Sequence, residues 1–381
     1  FKAIWSYLMI KAINVLALDK DFQIVSMLAY TNLQWTRKYY ESGTFSIEIP
    51  VNQYRDDMKY IYTKDRREMG LITQRNYIVK GQKLTYSLSG YFLENQLNRR
   101  IVYPKATSTN ITNQPSWVNM TGKAETVAYE YFNAFKDVQF TYGGNSYESL
   151  LGIDAGTDLK RGNDSDHQRD GTALGTKIYT ILKPSEMSYR VKYDFLTSKK
   201  VFEVWKGVDR TENNTENNNT IVFSTRFGNL KNPNVLIDET KYRNGYVVTV
   251  GSSSDNEVIV RAGLERATDD SVSDDSYIAV GGSSSRNDYS TEAEYIESLH
   301  GQGHEKLLTQ IKTLNIDFDA QVGSYEYLKD FDLGDKCSIE MPEINLSADA
   351  VLIGCYEVSK SGNTTLTLEF GTPILKGATN G

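Results

Sequence analysis

Between Ile10 and about Arg100, apolar and polar residues alternate in short runs broken by turns. INVLAL and FQIV flank the turn Asp19-Lys20-Asp21, and Phe45, Ile47 and Ile49 alternate with polar residues up to Pro50, the two-residue period of a half-buried strand. LITQRNYIV and KLTYSLSG face each other across a Lys80-Gly81 turn. This pattern predicts an antiparallel barrel or strongly bent sheet over residues 9–104.

The period then lengthens. KAETVAYEYFNAFKDV puts Val127, Tyr131, Phe135 and Val138 on one stripe at spacings of three and four, as an amphipathic helix does. ALGTKIYTILKP predicts a second helix ended by Pro184. Between them lies GNDSDHQRDG, read as a solvated loop. YRVKYDF and KVFEVWKGV alternate around LTSKK as a hairpin, and ENNTENNNT is a polar loop. YVVTVGSSSDN and YIAVGGSSSRN each read as a strand running into a Gly/Ser loop. Thr291 and Glu294 form a capping box ahead of Ile296, Leu299, Leu307, Leu308, Ile311 and Leu314, predicting a helix weakened by Gly301 and Gly303. From Phe318 short strands return and end at TLTLEFGTP. The expectation is an α+β, mainly β protein divided into 9–104, 105–230, 231–315 and 316–375.

The ends of the chain also share a weak similarity. LITQRNYIVKGQKLTYSLSG and LIGCYEVSKSGNTTLTLEFG align without gaps, matching Leu-Ile at the start, Gly81 with Gly362, and Gly90 with Gly371. Their apolar alternation falls out of phase by one residue after the turn. Common architecture and coincidence both fit this match.

Composition narrows the function. With 26 Tyr, 14 Phe and 4 Trp in 381 residues, disorder is excluded. Two cysteines, Cys337 and Cys355, supply neither a disulfide framework nor a CxxC metal site, and a bond between them is not expected after folding in a reducing cytosol. The net charge of −7 is uneven: residues 1–105 carry 16 bases against 9 acids, and residues 265–343 carry 18 acids against 6 bases. Such an acidic field opposes sequence-specific DNA binding. No apolar run approaches the ~20 residues of a membrane span. The opening FKAIWSYL, residues 1–8, reads as an extension or remnant ahead of a plausible start at Met9.

Candidate chemistry is sparse. His300 and His304 stand at i, i+4, but Gly-Gln-Gly separates them where a metalloprotease helix would carry Glu, so a solvated helix face is expected. Asp164, Asp166 and Asp170 resemble a calcium loop only loosely, since Gln168 occupies a ligand position and no Glu closes it. His167, in the same stretch, reads as exposed. Neither a GxSxG elbow nor a phosphate-binding loop is present. Sequons at Asn110 and Asn345 matter only in a chain secreted by a eukaryote. The reading is therefore no enzyme, no catalytic, metal or cofactor-binding residue, and no cofactor.

NLQWTRKYYESGTFSIEIPVN at 32–52 resembles the opening of siphovirus ReqiPepy-type phage tail proteins. LSGYFLENQLNRRIVYP, KVFEVWKGVDRT, YLKDFDLGDKCSIE and TLTLEFG continue the likeness in order. The resemblance implies two small tail-tube-like barrels with α+β parts between them, in a hub or baseplate-hub protein at the distal end of the tail tube. It also implies a homotrimeric, pseudo-sixfold ring joined to tail tube, distal tail protein, tape-measure protein and tip or receptor-binding proteins, with helical regions bracing or closing the channel. DNA would pass through the lumen without specific binding, and the protein would be a virion component assembled in the bacterial cytoplasm. Gly43, Gly90 and Gly334 would be turns or bulges. Some relatives append a lysin domain, for which this chain leaves no room after Gly371. A receptor- or carbohydrate-binding tail module is the competing reading, since Tyr and Trp faces suit sugars.

Overall fold

A computed structural model describes residues 13–64, 66–102, 120–142, 145–167, 171–243, 245–250, 258–263, 277–282, 286–307, 309–310, 312–320, 325–360 and 362–374. The first part contributes β1 (Val15–Leu18), β2 (Ile24–Leu28), β3 (Asn32–Lys38), β4 (Thr44–Pro50), β5 (Tyr60–Tyr62), β6 (Met69–Lys80) and β7 (Lys83–Phe92). The middle holds β8 (Met120–Lys123), α1 (Ala124–Phe135), β9 (Val138–Tyr142), β10 (Asn145–Ser149), β11 (Ile153–Ala155) and β12 (Asp164–His167). It continues with α2 (Leu174–Leu182), β13 (Met187–Asp194), β14 (Lys199–Lys206), β15 (Asp209–Arg210) and β16 (Val222–Ser224). The last part holds β17 (Leu230–Asp238), β18 (Gly245–Val250), β19 (Val258–Gly263), β20 (Tyr277–Gly281), α3 (Glu292–Leu307), β21 (Lys312–Ala320), β22 (Lys336–Met341), β23 (Leu346–Lys360) and β24 (Asn363–Ile374).

Strand alternation does what the sequence asks of it: Phe45, Ile47 and Ile49 are all buried on one face of β4. The expected pair of barrels is not what the strands build. Among the described residues no sheet closes; instead one 14-stranded sheet runs β17-β21-β24-β23-β3-β4-β7-β6-β5-β1-β2, with β15 and β16 added through β22. The cause is the antiparallel pairing of β3 with β23 over seven positions, Lys38 opposite Gly354 through Asn32 opposite Lys360. That contact fuses strands from the two ends of the chain into one ladder.

Four cores result. One lies under β1–β7 around Trp35. A second lies under the C-terminal strands around Phe318, Cys355 and Phe370. A third packs α1, α2, β13 and β14 against Leu18, Leu71, Leu93 and Leu97. A small fourth joins α3 to the three-stranded sheet β19-β18-β20.

α1 buries Val127, Tyr131 and Phe135 as its periodicity predicts, while Val138 has already entered β9. α2 ends in a 3-10 turn containing Pro184. The Thr291/Glu294 capping box forms reciprocally: Glu294 N–H donates to Thr291 Oγ1 at 3.2 Å, and Thr291 N–H donates to Glu294 Oε2 at 3.1 Å. α3 stops at Leu307, so Leu314 belongs to β21 and is buried there. Gly303 costs α3 helix propensity but admits the Tyr246 ring, which lies 2.1 Å from where a Cβ would sit. The Gly/Ser stretches after β18 and β20, at 251–257 and 283–285, and residues 1–12 lie outside the described residues.

The similarity between the ends is real but is displaced by one residue from the gap-free alignment. In β6–β7, Ile72 opposes Gly90, a bulge follows, Gln74 opposes Ser89, and Lys80 opposes Lys83 across the turn. In β23–β24, Leu352 opposes Phe370, a bulge follows, Gly354 opposes Glu369, and Lys360 opposes Asn363. Every feature recurs 280 residues later, whereas matching Gly81 to Gly362 imposes 281. The glycines mislead because Gly81 takes the first place of its two-residue turn and Gly362 the second, both at positive φ.

Gly90 lies beside its bulge, with Leu71 O only 1.9 Å from an added Cβ. Gly334 has φ +88, and Gly43 is held by close approach to Thr36 O and the Phe92 ring rather than by positive φ. Gly90→Ala is expected to lower stability in urea unfolding by about 1–3 kcal/mol through overpacking, while Gly81→Asn, in open space, stays within about 0.5 kcal/mol.

Candidate functional site

The strand that joins the halves carries an unusual residue at its crossing point. Along the buried face of β3, Leu33 and Trp35 belong to the first core and Tyr39, just beyond the strand, to the second. Arg37 lies between them and is 1% exposed. Its Nε donates to Glu68 Oε1 at 2.8 Å, and its Nη1 donates to Asp332 Oδ1 at 2.6 Å and to Tyr327 Oη at 2.5 Å. Beside it Arg66 makes a two-pronged contact with Glu357, Nε to Oε2 at 2.8 Å. Both guanidinium carbons lie over the Tyr327 ring, at 5.8 and 5.6 Å. Glu68 and Arg66 come from the first part of the chain, Asp332 and Glu357 from the last, so the cluster ties the two ends together.

At Arg37 and Asp332 the neighbouring charges outweigh burial. Burial alone would lower the Arg37 pKa, but Glu68, Tyr327 and Asp332 raise it well above the ordinary value. Burial pushes Asp332 up, and Arg37 overrides this and leaves it below the usual carboxylate range. Burial pushes the thiol of Cys355, opposite Arg37 in the ladder, upward; Cys337 and Cys355 are both unbonded. A neighbour behaves differently. Glu94 is 5% exposed, accepts a long 3.4 Å bond from Gly43 N–H, and is raised to about 8 by burial, with nearby Glu68 adding to the rise.

The opposite face of the same ladder is polar. Gln34, Thr36 and Lys38 on β3, Thr44, Ser46 and Glu48 on β4, and Ser87 and Ser89 on β7 all have the parity opposite to the buried residues. Asn315, Asp317 and Asp319 on β21, with Thr367 and Glu369 on β24, continue it. Side chains link across strands: Asn234 Nδ2 donates to Asp317 at 2.8 Å, Thr367 Oγ1 to Asp319 at 2.9 Å, and Lys38 Nζ to Glu369 at 2.7 Å. Lys38 pairs with Glu369 and Lys83 with Glu48, and Lys231 stands opposite Asp319 in the register, so the face carries charges of both signs.

The residues singled out in sequence lie elsewhere. His300 is half-buried rather than solvated, because its Nδ1 lies 3.0 Å from Tyr246 Oη. The His304 side chain and Asp170 lie outside the described residues. His167 is buried, not exposed, because Asp164–His167 forms strand β12 against β8, and its carbonyl accepts Tyr131 Oη at 2.8 Å. Asp164 pairs with Lys123 at 2.9 Å. Asp164, Asp166 and His167 share the wall of a cavity of about 420 Å³ with Ser185 and Gly301. Among the described residues no group of three or more His, Cys, Asp or Glu could hold a metal ion, and no helix is long and apolar enough to cross a membrane. Sequence reasoning missed the Arg37 cluster; the signal was an arginine at a buried-parity position between Trp35 and Tyr39.

The chain belongs to the siphovirus ReqiPepy6 Gp37-like protein family, whose model matches residues 13–372. Its fold is similar to that of the tail protein from Neisseria meningitidis, at 12% identity and a TM-score of 0.55, covering 95% of this chain and 97% of that one. It is likewise similar to the 43 kDa tail protein of prophage MuSo2 from Shewanella oneidensis, at 9% identity and a TM-score of 0.55, covering 94% and 98%. No curated protein matches the chain.

Arg37→Met leaves Glu68 buried without its cation and takes the nearest one from the part-buried Asp332, and is expected to cost about 3–5 kcal/mol in chemical denaturation. Glu94 has a folded pKa of about 8 against about 4.3 unfolded, so its contribution is complete below the unfolded value and is lost as pH rises toward 8. Glu94→Gln is therefore expected to flatten the loss of stability between pH 5 and 8, read from denaturation midpoints, with an unchanged slope counting against this assignment.

Proposed function

We propose that the protein is the structural hub of a phage tail tip, a non-enzymatic ring subunit in the virion at the distal end of the tail tube. Three copies form a pseudo-sixfold ring that links the tube and distal tail protein to the tip proteins, with the tape-measure protein and DNA on its axis. The observation that carries this reading is the repeat within the ladder. The quartet β17-β21-β24-β23 is followed by the quartet β3-β4-β7-β6, and the second hairpin of each carries the same bulge and turn. One chain thus supplies two like segments, so three chains match six tube subunits.

The polar face lines the channel on this reading. Its Ser and Thr hydroxyls stay solvated, and Lys38 and Lys83 are already paired with Glu369 and Glu48, so nucleic acid slides without sticking. The buried face and the helical parts lie outside, where α1, α2 and α3 brace the ring or close it beneath the tube until the host surface is met. The divisions at 104 and 230 then set the first quartet apart from the bracing parts, whereas 315 falls inside β21, which joins β17, β23 and β24 in the second quartet. The particle assembles in the bacterial cytoplasm.

Virions carrying Asp317→Lys and Asp319→Lys are expected to assemble normally but release DNA several-fold more slowly, followed by dye uptake into released genomes. A cryo-electron microscopy map of the tail tip with this face turned away from the axis contradicts the reading.

A further inference from the structure

The two quartets meet at one junction within the chain, and among the described strands the equivalent junction is open at the two outer edges. Inside the first quartet in the ladder order, β23 ends against β3 of the second. The equivalent of β23 in the second quartet is β6, and the equivalent of β3 in the first is β17. β6 pairs with β5 only through Met69–Leu71, which leaves its outer edge unpaired from Gln74 to Lys80 among the described strands. Shifted by the 280-residue repeat, these are the counterparts of Gly354–Lys360, the segment that β23 gives to β3. β17 pairs only with β21, and its outer edge is likewise unpaired.

The register follows position by position. Thr44, Phe45 and Ser46 oppose Tyr91, Gly90 and Ser89, as Asn315, Ile316 and Asp317 oppose Gly371, Phe370 and Glu369. Their outer neighbours are Thr36, Trp35 and Gln34 in one quartet and Leu236, Val235 and Asn234 in the other. We propose that a second copy of this chain docks its β17 antiparallel on β6, with Asn76 opposite Leu236, Tyr77 opposite Val235 and Ile78 opposite Asn234. The proposal rests on the ring reading and specifies its seam. The contact is heterologous, one edge meeting a different edge, as ring closure needs.

Side-chain chemistry supports a copy rather than an unrelated strand. Tyr77, Val79 and Leu84 extend the buried face of the β6–β7 hairpin yet are 50%, 58% and 41% exposed, and on the same face of β17 the part-buried Val235 is followed by Ile237, which is 55% exposed. An apolar row on one unpaired edge meets an apolar row on the other. The substitution pattern between the seams is consistent as well. Arg37 and Glu357 of the internal seam are replaced at the equivalent places by Ile237 and Tyr77. A seam within one chain is held by connectivity and tolerates an ionic cluster; a seam between chains depends on apolar burial.

Two variants test the register, Tyr77→Cys with Val235→Cys and Asn76→Cys with Leu236→Cys. Opposite residues alternate between closer and wider pairs, so one of the two links more readily. Within one chain the two edges are roughly 30 Å apart along the sheet, so any link joins copies. Oxidation is expected to give linked dimers and trimers on non-reducing gels, and the diagonal control, Tyr77→Cys with Ile237→Cys, is expected to stay unlinked. Ile237→Lys is expected to weaken assembly at least tenfold. If the wild type assembles but neither opposite pair links, or the diagonal links as well, the register is overturned and the ring stands. If the wild type forms no assembly, alone or on tail tubes, both fall.

Discussion

The pairing of β3 with β23 is the constraint on which the rest of the molecule depends. It brings residues 32–38 against 354–360 and makes one ladder of what would otherwise be two small sheets. Such distant pairing carries a loop-closure cost that local contacts do not repay. The Arg37 cluster adds specificity at this point: Arg37 finds Asp332, and Arg66 finds Glu357, only when the strands meet in this register. A one-residue slip would turn Arg37 toward the polar face and part the buried Glu357 from Arg66.

The same seam explains why the ladder has two unlike faces and two unlike joints. Toward the cores, Leu33, Trp35, Arg37 and Tyr39 lead from one apolar cluster to the next; away from them, hydroxyls and carboxylates form cross-strand links. A duplicated quartet joined once within the chain has the same joint open at its ends. What differs is the chemistry, ionic where the chain is continuous and apolar at the unpaired edges.

Local structure was legible in the sequence because local periodicity determines it. Phe45, Ile47 and Ile49 announced β4, Val127, Tyr131 and Phe135 announced α1, and Thr291 with Glu294 announced the start of α3. Strand partners were not legible, since nothing near Trp35 points to Glu357 more than 300 residues away. The repeat was visible yet misregistered, because Gly81 and Gly362 occupy different places in otherwise equivalent turns. The candidate ligands failed for a similar reason: the Asp164–His167 stretch has a loop's composition, and its pairing with β8 makes it a strand that buries His167. Family membership was carried by the order of whole motifs, which survives where single residues do not.

The central claim is that one chain is one third of a ring. Native mass spectrometry of the purified protein, alone and bound to tail tubes, measures this directly. The account expects a dominant species three times the 43.1 kDa chain mass, and a strict monomer under both conditions would contradict it.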